Sequence, residues 1–463
     1  MTQTVAQRIG RFVAETPATE LLPAPMRREA GRTLLDTLAC AIAGADEPAT
    51  RLAARYAHQS SRGSGVAALW RPGETGLVSE ESAAWANGVA GHALDYDDVT
   101  SPMRGHPSVA MWGALLAIAE GDRTPLLRTY DAYVVGFEVA VRLSRAMAQD
   151  HYVRGWHSTS TIGALAAAAA CSRLLQLDAQ QATYALGLAA AQSAGLRENF
   201  GSMARPVQAG QANLAGLRAA RLAQLGFDAS PSALDGPRGW GSLYGRGEDL
   251  FAAFADLGAA RLELDRTGID VKKYPMCYAV HRVLDGVLAL RETNKISLAD
   301  LEAVNIRASN GAFAPLIHHR PRTGLNAKFS LEFAVTAALL DGHVTLASFA
   351  EASVLRLEIQ VFLPKVTGEE AAGSLLPRWV EISLRLKDGR ELTTRVESLR
   401  GGADNPLSDA ELVAKASDCL RFGGSAGDAD ALAQICADPR DATVEALLDA
   451  ALGRTRAASR KAI

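Results

Sequence analysis

The chain has 463 residues, of which 48% are hydrophobic and 21% are charged, the usage of a globular protein that can bury a sizeable core. Its formal net charge of -3 gives no global basic field, so the composition disfavours a nucleic-acid-binding protein and favours a small partner. No stretch reaches the roughly 18 to 20 apolar residues of a membrane span, and the N-terminus lacks the apolar segment of a signal peptide.

The cysteines are odd in number and widely scattered, with neither a C-x-x-C pair nor a histidine at zinc spacing. They are Cys40, Cys171, Cys277, Cys419 and Cys436. This pattern predicts free thiols in a reducing compartment, and we expect a cytoplasmic protein.

The first 260 residues predict successive helices. Residues 28–44 carry an apolar stripe at helical spacing that ends at Gly44. Residues 161–175 and 180–194 are so rich in alanine that they predict helices with close neighbours. We expect these two helices to be central and buried.

The pattern changes after about residue 266. Residues 303–308 and 379–397 alternate apolar and polar side chains, and Asp388-Gly389 between two such runs is a hairpin signal. Residues 409–420 and 441–452 return to helical periodicity, and a basic tail from Arg454 to Ile463 is expected to fray.

These patterns predict a mainly α protein with an inserted α+β domain. The expected domains are a helical part over 1–265, an α+β insertion over 266–400, and C-terminal helices over 401–463 that pack back on the first part.

The densest polar cluster covers residues 91–108. It places His106 beside Arg104 and close in sequence to Asp95, Asp97 and Asp98. Pro107 suits the first position of a helix, which would put His106 at a helix N-terminus. Alternatives are an Asx-rich turn with a helix cap, or a divalent ion held by D-x-D-D and the histidine. Calcium-loop spacing and H-E-x-x-H are absent, so we expect no metal.

The second cluster is His157, Ser158 and Thr159, directly before the alanine-rich helix. A serine or threonine would cap that helix, and its free N–H groups would bind a small dianion. The alternative is a plain cap with His157 as a bystander.

Three weaker clusters follow. Arg205 lies in a glycine-punctuated helix start with Gln208, where it could grip a carboxylate bidentately. Further cations and a histidine precede two later helices: Lys272, Lys273, His281 and Lys328. Alone, a histidine on a helix face is more often structural than catalytic, and the lysines could simply be solvated.

Together, several helix starts bring histidine, arginine, lysine or hydroxyl groups, as a polyanionic substrate requires. The sequence lacks G-x-G-x-x-G after a strand, a P-loop and G-x-S-x-G, which disfavours nucleotide and triad chemistry. The residues by themselves therefore favour a site for a small polyanionic substrate.

Along most of its length the sequence resembles the MmgE/PrpD family, which includes 2-methylcitrate dehydratases, cis-aconitate decarboxylases and iminodisuccinate epimerases. The stretches that carry the resemblance are NGVAGHALDYDDV with the later HPS, GWHSTSTIGALAAAA, SAGLRENFGSMARPVQAG, KKYPMCYAVH and NAKFSLEFAVTAALLDG.

The resemblance implies a helical domain, an inserted α/β lid domain, a homodimer, and a site between the domains that needs no metal or organic cofactor. The positions that match the family's site are Asp95, His106, His157, Arg205 and His281, with Lys272 or Lys273 and Lys328 nearby.

The sequence departs from the family at two places. Arg205 and Gln208 stand where the family commonly has lysine and histidine. Arginine keeps its charge but is a poor neutral base, so carboxylate binding is the role that remains. Val99 stands where the decarboxylases and some dehydratases have threonine, and SPMRGHPS with HYVRGWH resembles the epimerase branch.

All three family chemistries can begin at a carbon next to a carboxylate, by loss of a proton or of CO2. His106 or His281 could accept and return a proton near neutrality, and Asp95 could orient such a ring. Arg104, Arg205 and the helix N-termini would stabilise the negative charge. The hypotheses are a lyase or an epimerase on a C4 to C7 polycarboxylate, or a paralogue that binds such a ligand without turnover.

Overall fold

A computed structural model describes residues 3–63, 65–245, 249–258, 261–374 and 376–454, apart from the side chains of residues 20, 21, 148 and 149. The chain divides into two units, residues 1–270 with 409–463 (unit 1) and residues 271–408 (unit 2). Unit 1 is mainly helical, and the smaller unit 2 combines helices with a sheet, in agreement with the predicted fold class. The role of unit 2 as a lid domain stays a prediction.

Unit 1 is built from helices that run nearly continuously along the chain. Up to residue 270 these are α1 (Val5–Glu15), α2 (Ala18–Leu21), α3 (Ala24–Ala43), α4 (Pro48–Ser61), α5 (Glu80–His92), α6 (Trp112–Gly121), α7 (Leu126–Val153), α8 (Ser158–Leu174), α9 (Ala179–Ala190), α10 (Ala204–Gln224), α11 (Trp240–Tyr244), α12 (Leu250–Ala253) and α13 (Glu263–Arg266). Two short strands, β1 (Ala67–Ala68) and β2 (Leu77–Val78), form an antiparallel pair.

The alanine-rich helix α8 lies at the centre of unit 1, as predicted. Every residue of α8 except Arg173 is buried, and α7 and α10 pack along it. Small side chains permit this close approach, because a Cβ on Gly216 of α10 would lie 2.3 Å from Cβ of Ala167. Helix α9 packs against α1, α8 and α10, in agreement with the predicted central position, but only half of its residues are buried and it ends at Ala190, before the predicted residue 194.

The helix predicted to begin at Pro107 begins instead at Trp112, after turns over residues 107–111. The cause is Asn213 of α10, which inserts its side-chain amide here. Its Oδ1 accepts the N–H of Ala114 at 2.9 Å, and its Nδ2 donates to the carbonyl of Val109 at 2.7 Å. The side chain thus takes the place of the backbone bonds of a first helical turn.

Unit 2 packs helices against a four-stranded sheet. Its helices are α14 (His281–Asn294), α15 (Gly324–Ala327), α16 (Leu331–Asp341), α17 (Glu351–Val354) and α18 (Leu357–Phe362), and its strands are β3 (Leu301–Ala308), β4 (Val366–Glu370), β5 (Val380–Leu386) and β6 (Glu391–Val396). The strand order is β4-β3-β5-β6; β3 and β4 are parallel and the other pairs antiparallel. The predicted hairpin at Asp388-Gly389 is confirmed, with Gly389 at φ 88°.

The C-terminal helices return to unit 1. They are α19 (Asp409–Phe422), α20 (Ala429–Ala437) and α21 (Val444–Leu452). Lys415 of α19 is buried and forms an ion pair of 2.6 Å with Asp36 of α3. Its Nζ also donates to the carbonyl of Tyr96 at 2.9 Å, so α19 supports the loop after α5. Apart from Arg454, the tail predicted to fray lies outside the described residues.

All five cysteines are buried free thiols. Within the described part of the chain, no helix combines the length and the apolar character that a bilayer crossing demands.

We expect Lys415→Met to lower the free energy of unfolding by about 3 to 5 kcal/mol, because it leaves the buried Asp36 carboxylate without its partner. Arg421→Met on the same helix is the control, since that side chain is 73% exposed and its loss should matter little. Urea denaturation followed by circular dichroism measures both. Equal stability of the two variants would show that the ion pair does not hold α19.

Candidate functional site

Three helix ends of unit 1 carry the polar groups of the candidate site. Helix α5 ends at His92, α8 begins directly after His157, and α10 begins one residue before Arg205. The loop between α5 and α6 supplies Asp95 and His106. Ser158 and Thr159 are the first residues of α8 and His157 is its N-cap, so the prediction that a serine or threonine caps this helix is wrong.

A chain of contacts joins these elements. Nη2 of Arg205 donates to Oδ1 of Asp95 at 2.7 Å, and the same oxygen lies 3.4 Å from Nε2 of His106. On the other side of the ring, Nδ1 of His106 lies 3.0 Å from Oδ2 of Asp97. The backbone N–H of His106 donates to Oγ1 of Thr159 at 3.0 Å, which fixes the loop on the first turn of α8.

Asp97 and His92 complete the chain, and the sequence analysis did not single out either as a site residue. Nδ1 of His92 lies 2.9 Å from Oδ2 of Asp97, and neither side chain has any exposed surface. The ring of His92 meets that of His106 edge-on at 4.5 Å and stacks on that of His157 at 5.8 Å. The available signal was the histidine on the last turn of α5, five residues before Asp97.

Burial and neighbouring charges set the protonation of this cluster. Burial lowers the pKa of His92 to about 4, against the opposing effect of Asp97. Burial also lowers the pKa of His157 well below its usual value, and the charges of His92 and Arg205 add to this effect. Burial would raise the pKa of Asp97, but the imidazoles of His106 and His92 hold it well below its usual range. The site therefore combines an ionised Asp97 carboxylate with the neutral rings of His92 and His157.

The backbone at Asp95 adopts the left-handed conformation, with φ 56°. That region costs a non-glycine residue about 1 kcal/mol or more, although aspartate tolerates it better than most. The turn aims the carboxylate at His106 and Arg205, so the strain accompanies the placement of a polar group in the site.

The other predicted positions of unit 1 have clear local roles. Arg104 lies over the ring of Tyr152 at 5.3 Å. Gln208 is buried and clamps the backbone of Leu196, because its Oε1 accepts the N–H and its Nε2 donates to the carbonyl at 3.1 Å. The amide at this position thus holds a loop.

The predicted positions of unit 2 form their own arrangement. His281 is buried, with Nε2 3.3 Å from the carbonyl of Met276. The backbone carbonyl of the buried Lys328 accepts a hydrogen bond from the N–H of Cys277 at 3.0 Å. This bond places the segment around Lys328 beside the segment that leads to His281. Lys272 is buried, and Nζ of the half-exposed Lys273 lies 3.9 Å from Asp285. That these groups share one site with His106 stays a prediction.

One group of side chains has donor atoms close enough for a divalent ion. Among the described residues, it consists of His92, Asp97 and His106, whose donor atoms all lie within 4.8 Å of one another. Of the three aspartates considered in the sequence, only Asp97 belongs to it. The same short distances are also explained without an ion, because a proton on each ring can lie between its nitrogen and the Asp97 carboxylate.

The sequence matches two domain models of one protein family and several curated proteins. The family model for the MmgE/PrpD N-terminal domain matches residues 7–252, and that for the MmgE/PrpD C-terminal domain matches residues 274–438. The cis-aconitate decarboxylase of Homo sapiens is 30% identical over 404 residues, covering 83% of this chain and 81% of that protein. The cis-aconitate decarboxylase of Aspergillus terreus is 26% identical over 430 residues, covering 87% of this chain and 86% of that protein.

We expect the buried histidines of this cluster to contribute a loss of stability as the pH falls from 7 to 5. The unfolded chain binds protons at its histidines near pH 6.5, whereas His92 in the folded chain stays neutral down to about pH 4. The stability that the neutral ring of His92 contributes above pH 6.5 is therefore lost as the pH falls, by about 2 kcal/mol between pH 7 and pH 5. The lowered pKa of His157 acts in the same direction.

His157→Asn should reduce this loss, and His343→Asn at an exposed position should leave it unchanged. Urea denaturation at both pH values gives the difference for each variant. If the His157 variant loses as much stability as the parent, that ring is not held neutral by the fold.

Proposed function

Because the chain belongs to the MmgE/PrpD family, we propose that it is a cofactor-independent enzyme that abstracts a proton or releases CO2 next to a carboxylate of a small polycarboxylate. The observation that supports this most is the buried chain Arg205–Asp95–His106–Asp97 beside the first turn of α8. It combines a fixed cation, a base and helix N–H groups within one cluster, as that chemistry requires.

In the proposed reaction, Arg205 and the N–H groups of the first turn of α8 hold substrate carboxylates. His106 takes a proton on Nε2 or returns one there, and Asp95 stabilises the imidazolium that forms. Loss of CO2 or of an α-proton leaves an electron pair on carbon, and the fixed positive charge stabilises it. His157, directly before α8, is the proposed second acid or base.

The names of the relatives favour a lyase, and we propose a decarboxylase or dehydratase acting on a tricarboxylate. An epimerase is the second candidate, because Val99 stands where the decarboxylases have threonine and SPMRGHPS resembles the epimerase branch. A paralogue that binds without turnover is the third, and Arg205 in place of lysine favours it. Gln208 weakens the hypothesis of a binding paralogue, because its side chain holds the backbone of Leu196 in a loop.

The test is proton NMR of the chelator-treated protein in heavy water with cis-aconitate, 2-methylcitrate, citrate and iminodisuccinate. New vinyl signals, or loss of cis-aconitate with a new decarboxylated product, would support the lyase. Exchange of an α-proton without a new product would identify the epimerase. Ligand-induced shifts with no conversion of any compound would leave the binding paralogue.

We expect His106→Ala to reduce kcat by at least about 10³-fold, because it removes the proposed base. His343→Ala, at an exposed position of unit 2, is the matched control and should keep the parent rate. Initial rates with the substrate found by NMR give the comparison, and circular dichroism checks the fold. Activity within a few-fold of the parent would remove His106 from the mechanism.

A further inference from the structure

One carboxylate oxygen of Asp97 contacts two imidazole rings, each at its Nδ1 atom. Its Oδ2 lies 2.9 Å from Nδ1 of His92 and 3.0 Å from Nδ1 of His106. An ionised carboxylate only accepts hydrogen bonds, so each ring meets it favourably only with a proton on Nδ1. A neutral ring protonated on Nδ1 has its lone pair on Nε2. Nε2 of His106 lies 3.4 Å from Oδ1 of Asp95, a longer contact than the 3.0 Å to Asp97, and that oxygen already accepts a hydrogen bond from Arg205.

Nδ1 of His106 and Oδ2 of Asp97 are within hydrogen-bond distance, at 3.0 Å. The angle of this contact does not meet the criteria of a hydrogen bond. Catalytic hydrogen bonds are often poorly aligned without substrate and tighten when it binds. The contact from Nδ1 of His92 to Asp97 already meets the criteria of a hydrogen bond.

His92 itself cannot touch a substrate, because its side chain has no exposed surface. Its ring packs between two others, edge-on to His106 at 4.5 Å and stacked on His157 at 5.8 Å. Among the residues that the structure describes, no group accepts or donates a hydrogen bond at its Nε2. The hydrogen bond from Nδ1 to Asp97 is thus the polar contact through which the His92 ring acts.

We propose that His92 and Asp97 are the positioning pair of this site: the Asp97 carboxylate fixes His106 as the tautomer protonated on Nδ1, and His92 holds that carboxylate and spaces the rings of His106 and His157. The kinetic consequence rests on the proposed function. The tautomer of His106 does not, and it can be measured without a substrate.

Asp97→Asn tests the carboxylate. An asparagine has nearly the same shape but can present an N–H to His106, which favours the other tautomer. We expect kcat to fall by roughly 10³-fold or more, as when the carboxylate behind a catalytic histidine is replaced in serine proteases, with KM within about threefold.

Asp98→Asn is the matched control. Asp98 is equally buried in the same loop, and burial together with the Asp36 carboxylate raises its pKa well above its usual value. Its charged form is therefore disfavoured, an amide is a close replacement for the neutral carboxyl group, and kcat should stay within about threefold of the parent. His92→Phe keeps the ring but removes the donor, and should lower kcat by about tenfold, the rate equivalent of one hydrogen bond.

The direct readout is the ring ¹⁵N spectrum of ¹⁵N-histidine-labelled protein, with His106 assigned from the His106→Gln variant. We expect the proton on Nδ1 in the parent and a shift toward Nε2 in Asp97→Asn. A parent ring protonated on Nε2, or equal losses of kcat in the Asp97 and Asp98 variants, would overturn the proposal. If the parent converts none of the compounds, the proposed function fails, and the tautomer still decides the inference.

Discussion

The close approach of α10 to α5 on one side and to α8 on another is the constraint on which the rest of unit 1 depends. Glycine and alanine make this approach possible, since a Cβ on Gly210 would lie 2.4 Å from the carbonyl oxygen of Trp85, and one on Gly216 would lie 2.3 Å from Cβ of Ala167. Because these three helices end or begin at His92, His157 and Arg205, their spacing sets the distances in the site. The alanine-rich segments are thus part of the site's construction, although they carry no chemistry.

Packing at this density leaves the polar groups of the site little contact with water, and each must find its partner within the protein. Asp97 has two imidazoles, Asp95 has Arg205, and Lys415 has Asp36 and the carbonyl of Tyr96. Removing one member of such a set exposes the others to an uncompensated burial cost. The cluster therefore keeps one arrangement of its charges, which is the electrostatic preorganisation that catalysis by side chains needs.

The sequence predicted what depends on local pattern. The helix over 161–175, the hairpin at Asp388-Gly389 and the polar clusters around His106 and His157 all follow from spacing and turn chemistry. What it could not predict depends on partners far along the chain. Asn213 displaces the start of α6, Gln208 clamps Leu196, and Asp97 pairs with His92 only because the loop after α5 folds back on that helix. The order of the motifs identified the family, but not which aspartate faces which ring.

The left-handed backbone at Asp95 sets two contributions to stability against each other at one position. Glycine would adopt φ 56° without steric penalty, but it would remove the carboxylate between Arg205 and His106 and take a partner from a largely buried guanidinium. The relief of the backbone is worth about 1 kcal/mol, whereas loss of one partner of a buried ion pair costs about 3 to 5 kcal/mol. Selection for thermal robustness and selection for turnover should therefore both retain aspartate at residue 95, although its backbone conformation is one that glycine adopts more easily.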